Sequence, residues 1–410
     1  MKNLIICLFF IFSIGINLCA QSGSDDTGLF HFSVTGEIEG LAPGDTLSFK
    51  RVAFLPWNLE PDFDIIVKEP GKFVYKGSLE HPQYYLVLYK PVSKKEMFTD
   101  RSGLTILIQE NDAIVIKGTA DGIYYSQISG GVFDNPSLQE IFALENDLGS
   151  RRADFSRLIN EAQATGDTIK RKEYEDKFNF FHRDNAEEYQ KLRKLDDDFL
   201  DNFPSSQWTI IQMLEQVTYM PEDELKGRLD KMEPEAASSH YGSILRQGAD
   251  RILSLSVGNN APDFNLTTLK GENISLKDMK GNYVLIYHWG LCPGSLMIDK
   301  QVTDFYEKYK DKLSVVGVTE DIGTIHDLYA KVGPEDEVMN IKLKQVLENM
   351  VSHPWYEAEL KERNEKLKSD YAFGGLPYFV FISPEGKIIA RDFHKAFEKA
   401  KQTLETEFPR

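Results

Sequence analysis

The chain has 410 residues, 41% of them hydrophobic and 27% charged, with a formal net charge of −17. That length predicts two or three domains, and the apolar content argues against wholesale disorder. The acidic balance supplies no basic field for phosphates, which argues against a nucleic-acid partner, DNA included.

The N-terminus reads as a secretory signal peptide. Lys2 gives the positive start, Leu4 to Ile14 is an uncharged apolar core, and Ala20 is the small residue after which cleavage is expected. The core is shorter than the ~20 residues a helix needs to cross a bilayer. Membrane attachment would have to come through acylation of Cys19; Leu18 stands where a lipobox takes a small residue, so export without a lipid anchor is preferred. Cleavage of residues 1–20 removes Cys7 and Cys19, so the mature chain keeps Cys292 alone and has no internal disulfide framework.

Residues 28–130 predict an antiparallel β-sandwich. Phe30, Phe32, Val34 and Ile38 alternate with polar residues, and Ala42-Pro43-Gly44-Asp45 and Glu110-Asn111-Asp112 read as turns between short strands. Trp57, Tyr84 and Tyr85 read as core or rim residues rather than a ligand cage. From residue 131 to 255 the pattern is helical, opened by Asn135-Pro136 as a cap and first-turn proline. The run Lys170 to Asp176 and the trio Asp196-Asp197-Asp198 read as solvated faces, because consecutive residues on a helix diverge and do not make a metal site. This segment is a helical spacer whose packing partner the sequence leaves open.

Residues 256–410 predict an α/β domain. Tyr283 to Tyr287 is apolar on both sides, as in a strand at the middle of a covered sheet. It runs into Leu291-Cys292-Pro293-Gly294-Ser295 and a helix; Leu313 to Val318 and Tyr378 to Ile382 follow as further strands, the last preceded by Leu376-Pro377. Cys292 thereby closes a strand and opens a helix, where free N–H groups favour a thiolate.

The run APDF through Tyr283 to Cys292, followed by LPYFVFISPEGKI, resembles the TlpA/ResA-like thiol–disulfide oxidoreductases of the thioredoxin and AhpC/TSA group. The resemblance covers about the last 155 residues and implies a thioredoxin-like fold, a cis-Pro377 beside the sulfur, and action on cysteines of other envelope proteins. The regions ahead of it also resemble, more weakly, the N-terminal parts of envelope proteins that carry such domains.

The departures bear on function. Where the family has two cysteines separated by two residues, this chain has Cys-Pro-Gly-Ser, with Ser295 in the resolving place. Ile286 and Ile298 stand where relatives carry a buried acid, and His288 stands where they carry Trp. Fold and site together predict an exported multidomain α+β protein acting on envelope thiols and disulfides through Cys292, with Ser295 and Pro377 beside it. Its partners would be cysteine-containing envelope proteins or a thiol reductant, and no metal or cofactor is expected. The alternative is a non-catalytic protein that binds peptide near Pro377. A peroxidase is disfavoured, because Trp289 occupies the position of the peroxidatic Thr or Ser.

Overall fold

The computed structural model describes residues 29–55, 57–92, 103–331 and 338–409. The expected signal peptide, residues 1–20 with Cys7 and Cys19, lies outside the described residues.

Eight strands form the N-terminal sandwich: β1 (Phe30–Glu39), β2 (Thr46–Ala53), β3 (Asn58–Ile66), β4 (Lys72–Leu79), β5 (Gln83–Lys90), β6 (Leu104–Ile108), β7 (Ala113–Thr119) and β8 (Gln127–Ser129). One sheet has the order β4-β1-β7-β8 and the other β3-β2-β5-β6. The alternation read in the sequence is the cause: Phe32, Val34 and Ile38 of β1 turn inward while His31, Glu37 and Glu39 face solvent. Phe49, Phe63 and Tyr85 meet across the interior, the first two stacked at 4.5 Å. One pairing departs from the expected antiparallel pattern. β1 and β7 run parallel, from Ser33 opposite Ala113 to Glu39 opposite Thr119. The chain visits the second sheet between them, which supplies the long crossover a parallel pair requires.

Seven helices follow: α1 (Pro136–Thr165), α2 (Thr168–Asp184), α3 (Ala186–Asn202), α4 (Gln207–Gln216), α5 (Glu222–Asp230), α6 (Pro234–Ser238) and α7 (His240–Ser254). Asn135 caps α1 by accepting the Ser137 N–H, with Pro136 in the first turn, and Gly166 ends it in the left-handed region. The packing partner left open by the sequence is the sandwich. Trp208, Ile210, Ile211 and Leu214 of α4 and Tyr241, Leu245 and Ile252 of α7 share one apolar core with the strands. The Tyr84 N–H donates to the Tyr241 hydroxyl at 2.8 Å, and Trp208 meets Tyr84 and Phe133 edge-on at 5.9 and 5.6 Å.

The C-terminal domain contains β9 (Asn265–Thr267), β10 (Asn273–Ser275), β11 (Tyr283–His288), α8 (Pro293–Tyr309), β12 (Leu313–Thr319), α9 (Ile322–Lys331), α10 (Val338–Met350), β13 (Tyr356–Glu359), α11 (Lys366–Asp370), β14 (Tyr378–Ile382), β15 (Ile388–Asp392) and α12 (Lys395–Glu407). Its five-stranded sheet has the order β13-β12-β11-β14-β15. β11 lies at the centre, parallel to β12 and antiparallel to β14, and all six of its residues are buried. Tyr283, Leu285 and Tyr287 join the core under α8 and α12, whereas Val284 and Ile286 join the opposite one.

The helical segment also meets this domain. Tyr219, just after α4, stacks on Phe393 at 5.3 Å and donates its hydroxyl to the Gly374 carbonyl. The Arg391 guanidinium reaches the Tyr378 hydroxyl at 3.2 Å and the Ile252 carbonyl of α7 at 3.3 Å.

Because sandwich and helices share a core, Trp208→Ala is expected to destabilise both together. Urea denaturation should record a loss of about 3–5 kcal/mol in one cooperative transition. A sandwich transition left at its original midpoint would show instead that the two units are independent.

Candidate functional site

The end of β11 delivers the chain to α8 through Trp289, Gly290 and Leu291. Cys292 is the N-cap of α8, with extended backbone, and its Sγ accepts the Ser295 N–H at 3.3 Å. Pro293 occupies the first turn, where a missing N–H leaves no helical bond unmade. The sulfur is partly exposed, and Ser295 behind it is fully buried. Ser295 Oγ lies 3.2 Å from Cys292 Sγ and accepts the Gly290 N–H at 3.3 Å.

Leu376-Pro377 is a cis peptide at the start of β14. A Cβ added at Gly294 would fall 2.7 Å from Pro377 Cδ and 3.9 Å from Cys292 Sγ, so glycine is what lets the helix start approach the proline this closely. Cys292, Ser295 and Pro377, drawn from two places in the sequence, therefore stand together.

His288 does not join them. Its ring is buried on the other face of β11 and stacks on Phe373 at 4.7 Å. Nε2 is 3.8 Å from the Glu320 carboxylate, which is itself held by Lys368 at 2.6 Å. Desolvation pulls the His288 pKa down to about 4, so the ring is neutral near pH 7 and packs as an aromatic. Ile286 and Ile298 are buried and apolar, leaving the two family positions without an acid.

A buried acid is nevertheless present close by, and the sequence reading missed it. Asp299, one helical turn beyond Ser295, is fully buried. His353, in the loop before β13, donates from Nε2 to Asp299 Oδ1 at 2.9 Å and from Nδ1 to Glu357 Oε1 at 2.6 Å. Glu357 also accepts the indole N–H groups of Trp289 at 3.1 Å and Trp355 at 2.5 Å. The Tyr287 hydroxyl donates to Asp299 Oδ1 at 3.4 Å. Burial lowers the His353 pKa, but the hydrogen bonds and charges of Asp299 and Glu357 outweigh it and raise the value to about 9. The ring is thus an imidazolium between two carboxylates, with both nitrogens donating. Gly317 of β12 makes the room: a Cβ there would overlap the Glu357 carboxylate and crowd the Trp355 indole. A glycine inside an otherwise apolar strand was the available signal.

Residues 257–391 match the AhpC/TSA family, and residues 32–132 match a domain of unknown function, DUF4369. The thiol-disulfide oxidoreductase ResA of Bacillus thuringiensis (strain Al Hakam) is 27% identical over 172 residues, 41% of this chain and 86% of that protein. On these matches the C-terminal domain is similar to the TlpA/ResA-like thioredoxin-like proteins. A thioredoxin-like protein of Bacillus subtilis (strain 168), YneN, is 39% identical over 67 residues, 16% of this chain and 39% of that protein. Among solved structures, the thioredoxin domain of a thiol-disulfide oxidoreductase from Bacteroides vulgatus is 24% identical, covering 37% of this chain and 99% of that one, with a TM-score of 0.28. Thiol–disulfide oxidoreductases are thus among the proteins that this chain resembles.

The two histidines predict opposite pH limbs. The folded-state pKa of His288, about 4, lies below its ordinary 6.5, so its contribution to stability is complete above pH 6.5 and is lost as pH falls through 4. That of His353, about 9, lies above 6.5, so its contribution is complete below pH 6.5 and is lost as pH rises through 9. Melting temperatures followed across pH should show a flatter acid limb in His288→Phe and a flatter alkaline limb in His353→Asn. Limbs unchanged from wild type would contradict these assignments.

Proposed function

We propose that this is an exported protein that exchanges disulfides with cysteine-containing proteins of the cell envelope through Cys292 alone. The observation that carries the reading is the pair at the start of α8. Cys292 Sγ faces a hydroxyl, Ser295 Oγ, at 3.2 Å, where a dithiol site would hold its second sulfur. Support for the export part comes from the leader-like residues 1–20, and support for the chemistry from the relatives of the C-terminal domain.

In the first step the Cys292 thiolate attacks one sulfur of a partner's disulfide. The new Sγ–S bond forms as the partner's S–S bond breaks, and the departing thiolate takes up a proton. Ser295 cannot attack the resulting mixed disulfide as a thiolate would. An external thiol reductant does so, forming a disulfide with the held partner and returning Cys292 as a thiolate. Pro377, fixed in its cis peptide near the sulfur, gives the partner's backbone a rigid edge to approach.

The test is covalent capture by the full chain. A protein disulfide offered to wild type should give a reducible adduct whose yield falls at least about tenfold in Cys292→Ser. Ser295→Cys should oxidise to an intramolecular disulfide and release the adduct. Absence of adducts from wild type would leave the binding-only reading, and absence of the engineered disulfide would count against the arrangement at the helix start.

A further inference from the structure

The helical segment touches the C-terminal domain beside the cysteine, at the loop of residues 373–377 that ends in Pro377. Tyr219 donates its hydroxyl to the Gly374 carbonyl and stacks its ring on Phe393 at 5.3 Å. A Cβ added at Gly374 would lie 2.9 Å from Tyr219 Cε1 and 3.0 Å from the Thr218 hydroxyl oxygen, so glycine is what lets the loop lie this close. Val217 and Met220, which flank Thr218 and Tyr219, are buried in the core shared with the sandwich. The pair is thus presented from a packed base.

The other end of the same loop rests on the cysteine turn. A Cβ at Gly290, two residues before Cys292, would lie 2.8 Å from Leu376 Cδ1. A Cβ at Gly294, two residues after Cys292, would lie 2.7 Å from Pro377 Cδ. The loop therefore meets the turn on both flanks of the sulfur-bearing residue.

The strand that follows is tied to the helical segment as well. Phe393 meets the Tyr378 ring edge-on at 5.4 Å, and a Cβ at Gly375 would lie 3.1 Å from Phe393 Cε1. The Arg391 guanidinium joins the Tyr378 hydroxyl, at 3.2 Å, to the Ile252 carbonyl of α7, at 3.3 Å. Two consecutive glycines have wide backbone freedom, so the place of Gly374 and Gly375 is set by what packs on them. What packs on Gly374 comes from outside the domain.

We infer that Tyr219 is a positioning residue for exchange with protein disulfides. From the N-terminal unit it fixes the loop past which a partner's disulfide must reach Cys292, an inference that rests on Cys292 being the exchanging thiol. Tyr219 touches neither the sulfur nor the reacting atoms, and acts through Gly374 and Phe393. A small alkylating reagent needs only the sulfur. A disulfide held in a folded protein has to come into line with the sulfur while its neighbours clear the loop, so losing the brace slows the protein disulfide and spares the small reagent. On this reading the sandwich and its helices are the foundation of the site.

The test compares two rates in the full chain, adduct formation with insulin as the protein disulfide and alkylation of Cys292 by iodoacetamide. Tyr219→Ala should slow insulin capture by about tenfold and leave alkylation unchanged. Tyr219→Phe, which keeps the ring and loses the donated proton, should fall between Tyr219→Ala and wild type. Hydrogen exchange over residues 373–378 should quicken in Tyr219→Ala, because the loop opens more often. The Tyr219 side is 53% exposed, so the core is untouched, and melting curves confirm the fold of each variant. Gly374→Ala, which pushes the loop off Tyr219 from the opposite direction, should reproduce the split between the two rates. Insulin capture equal in Tyr219→Ala and wild type, both rates falling together, or unchanged hydrogen exchange overturns the positioning role alone. A wild type that alkylates and yet forms no adduct with insulin overturns the exchange reading and this role with it.

Discussion

A strand covered on both faces has no solvent to offer any of its side chains, so every residue of β11 is committed to one of two cores. That commitment organises the C-terminal domain. Tyr283, Leu285 and Tyr287 must fit beneath α8 and α12, and Val284, Ile286 and His288 must fit beneath the other layer. The alternation places the Tyr287 hydroxyl under the first turn of α8 and sends the His288 ring the opposite way. It also aims the end of the strand at the place where Cys292 begins the helix. The site is in this sense the outlet of a packing pattern, and its polar groups sit where two apolar layers leave an opening.

The features written in local sequence were legible. The uninterrupted run Tyr283 to Tyr287 meant a central strand and Asn135-Pro136 a helix start, and both are found. Cys292 and Ser295 could be placed because a strand-to-helix turn is a short-range object. What could not be read depends on distance along the chain. The parallel pairing of β1 with β7 joins residues about 80 positions apart, at a separation that only the closed fold fixes. Asp299 looked like one more member of a charged helix, next to Lys300. Lys300 does face water, paired with Asp304 at 2.9 Å, whereas Asp299 is turned one position further round and faces inward. Its spacing of four from Ser295 put it on the same helix face, a clue that needs the helix phase to be known first. His353 and Glu357 could be recognised as its partners only once β13 had been laid beside β12.

The N-terminal two thirds of the chain follows a different logic. The sandwich does not close its own core; α4 and α7 supply Trp208, Ile210, Ile211, Tyr241 and Leu245 to it. Calling the helices a spacer describes their place in the sequence and understates their role in folding. The long pair α1 and α2 meets through Phe155 against Phe181 at 6.1 Å and the Arg152 guanidinium over the Phe178 ring at 4.3 Å, while the ion pairs Arg157 to Glu161 and Arg171 to Glu175 each lie within one helix and contribute little alone.

The contact between Tyr219 and Gly374 ties these two logics together. Gly374 lies two residues before Leu376, so the loop that carries the cis-proline is braced from outside its own domain. Small interfaces between domains separate more readily than cores unfold. Tyr219 is thus the point at which the N-terminal unit touches the loop beside the sulfur, through the Gly374 carbonyl and the Phe393 ring.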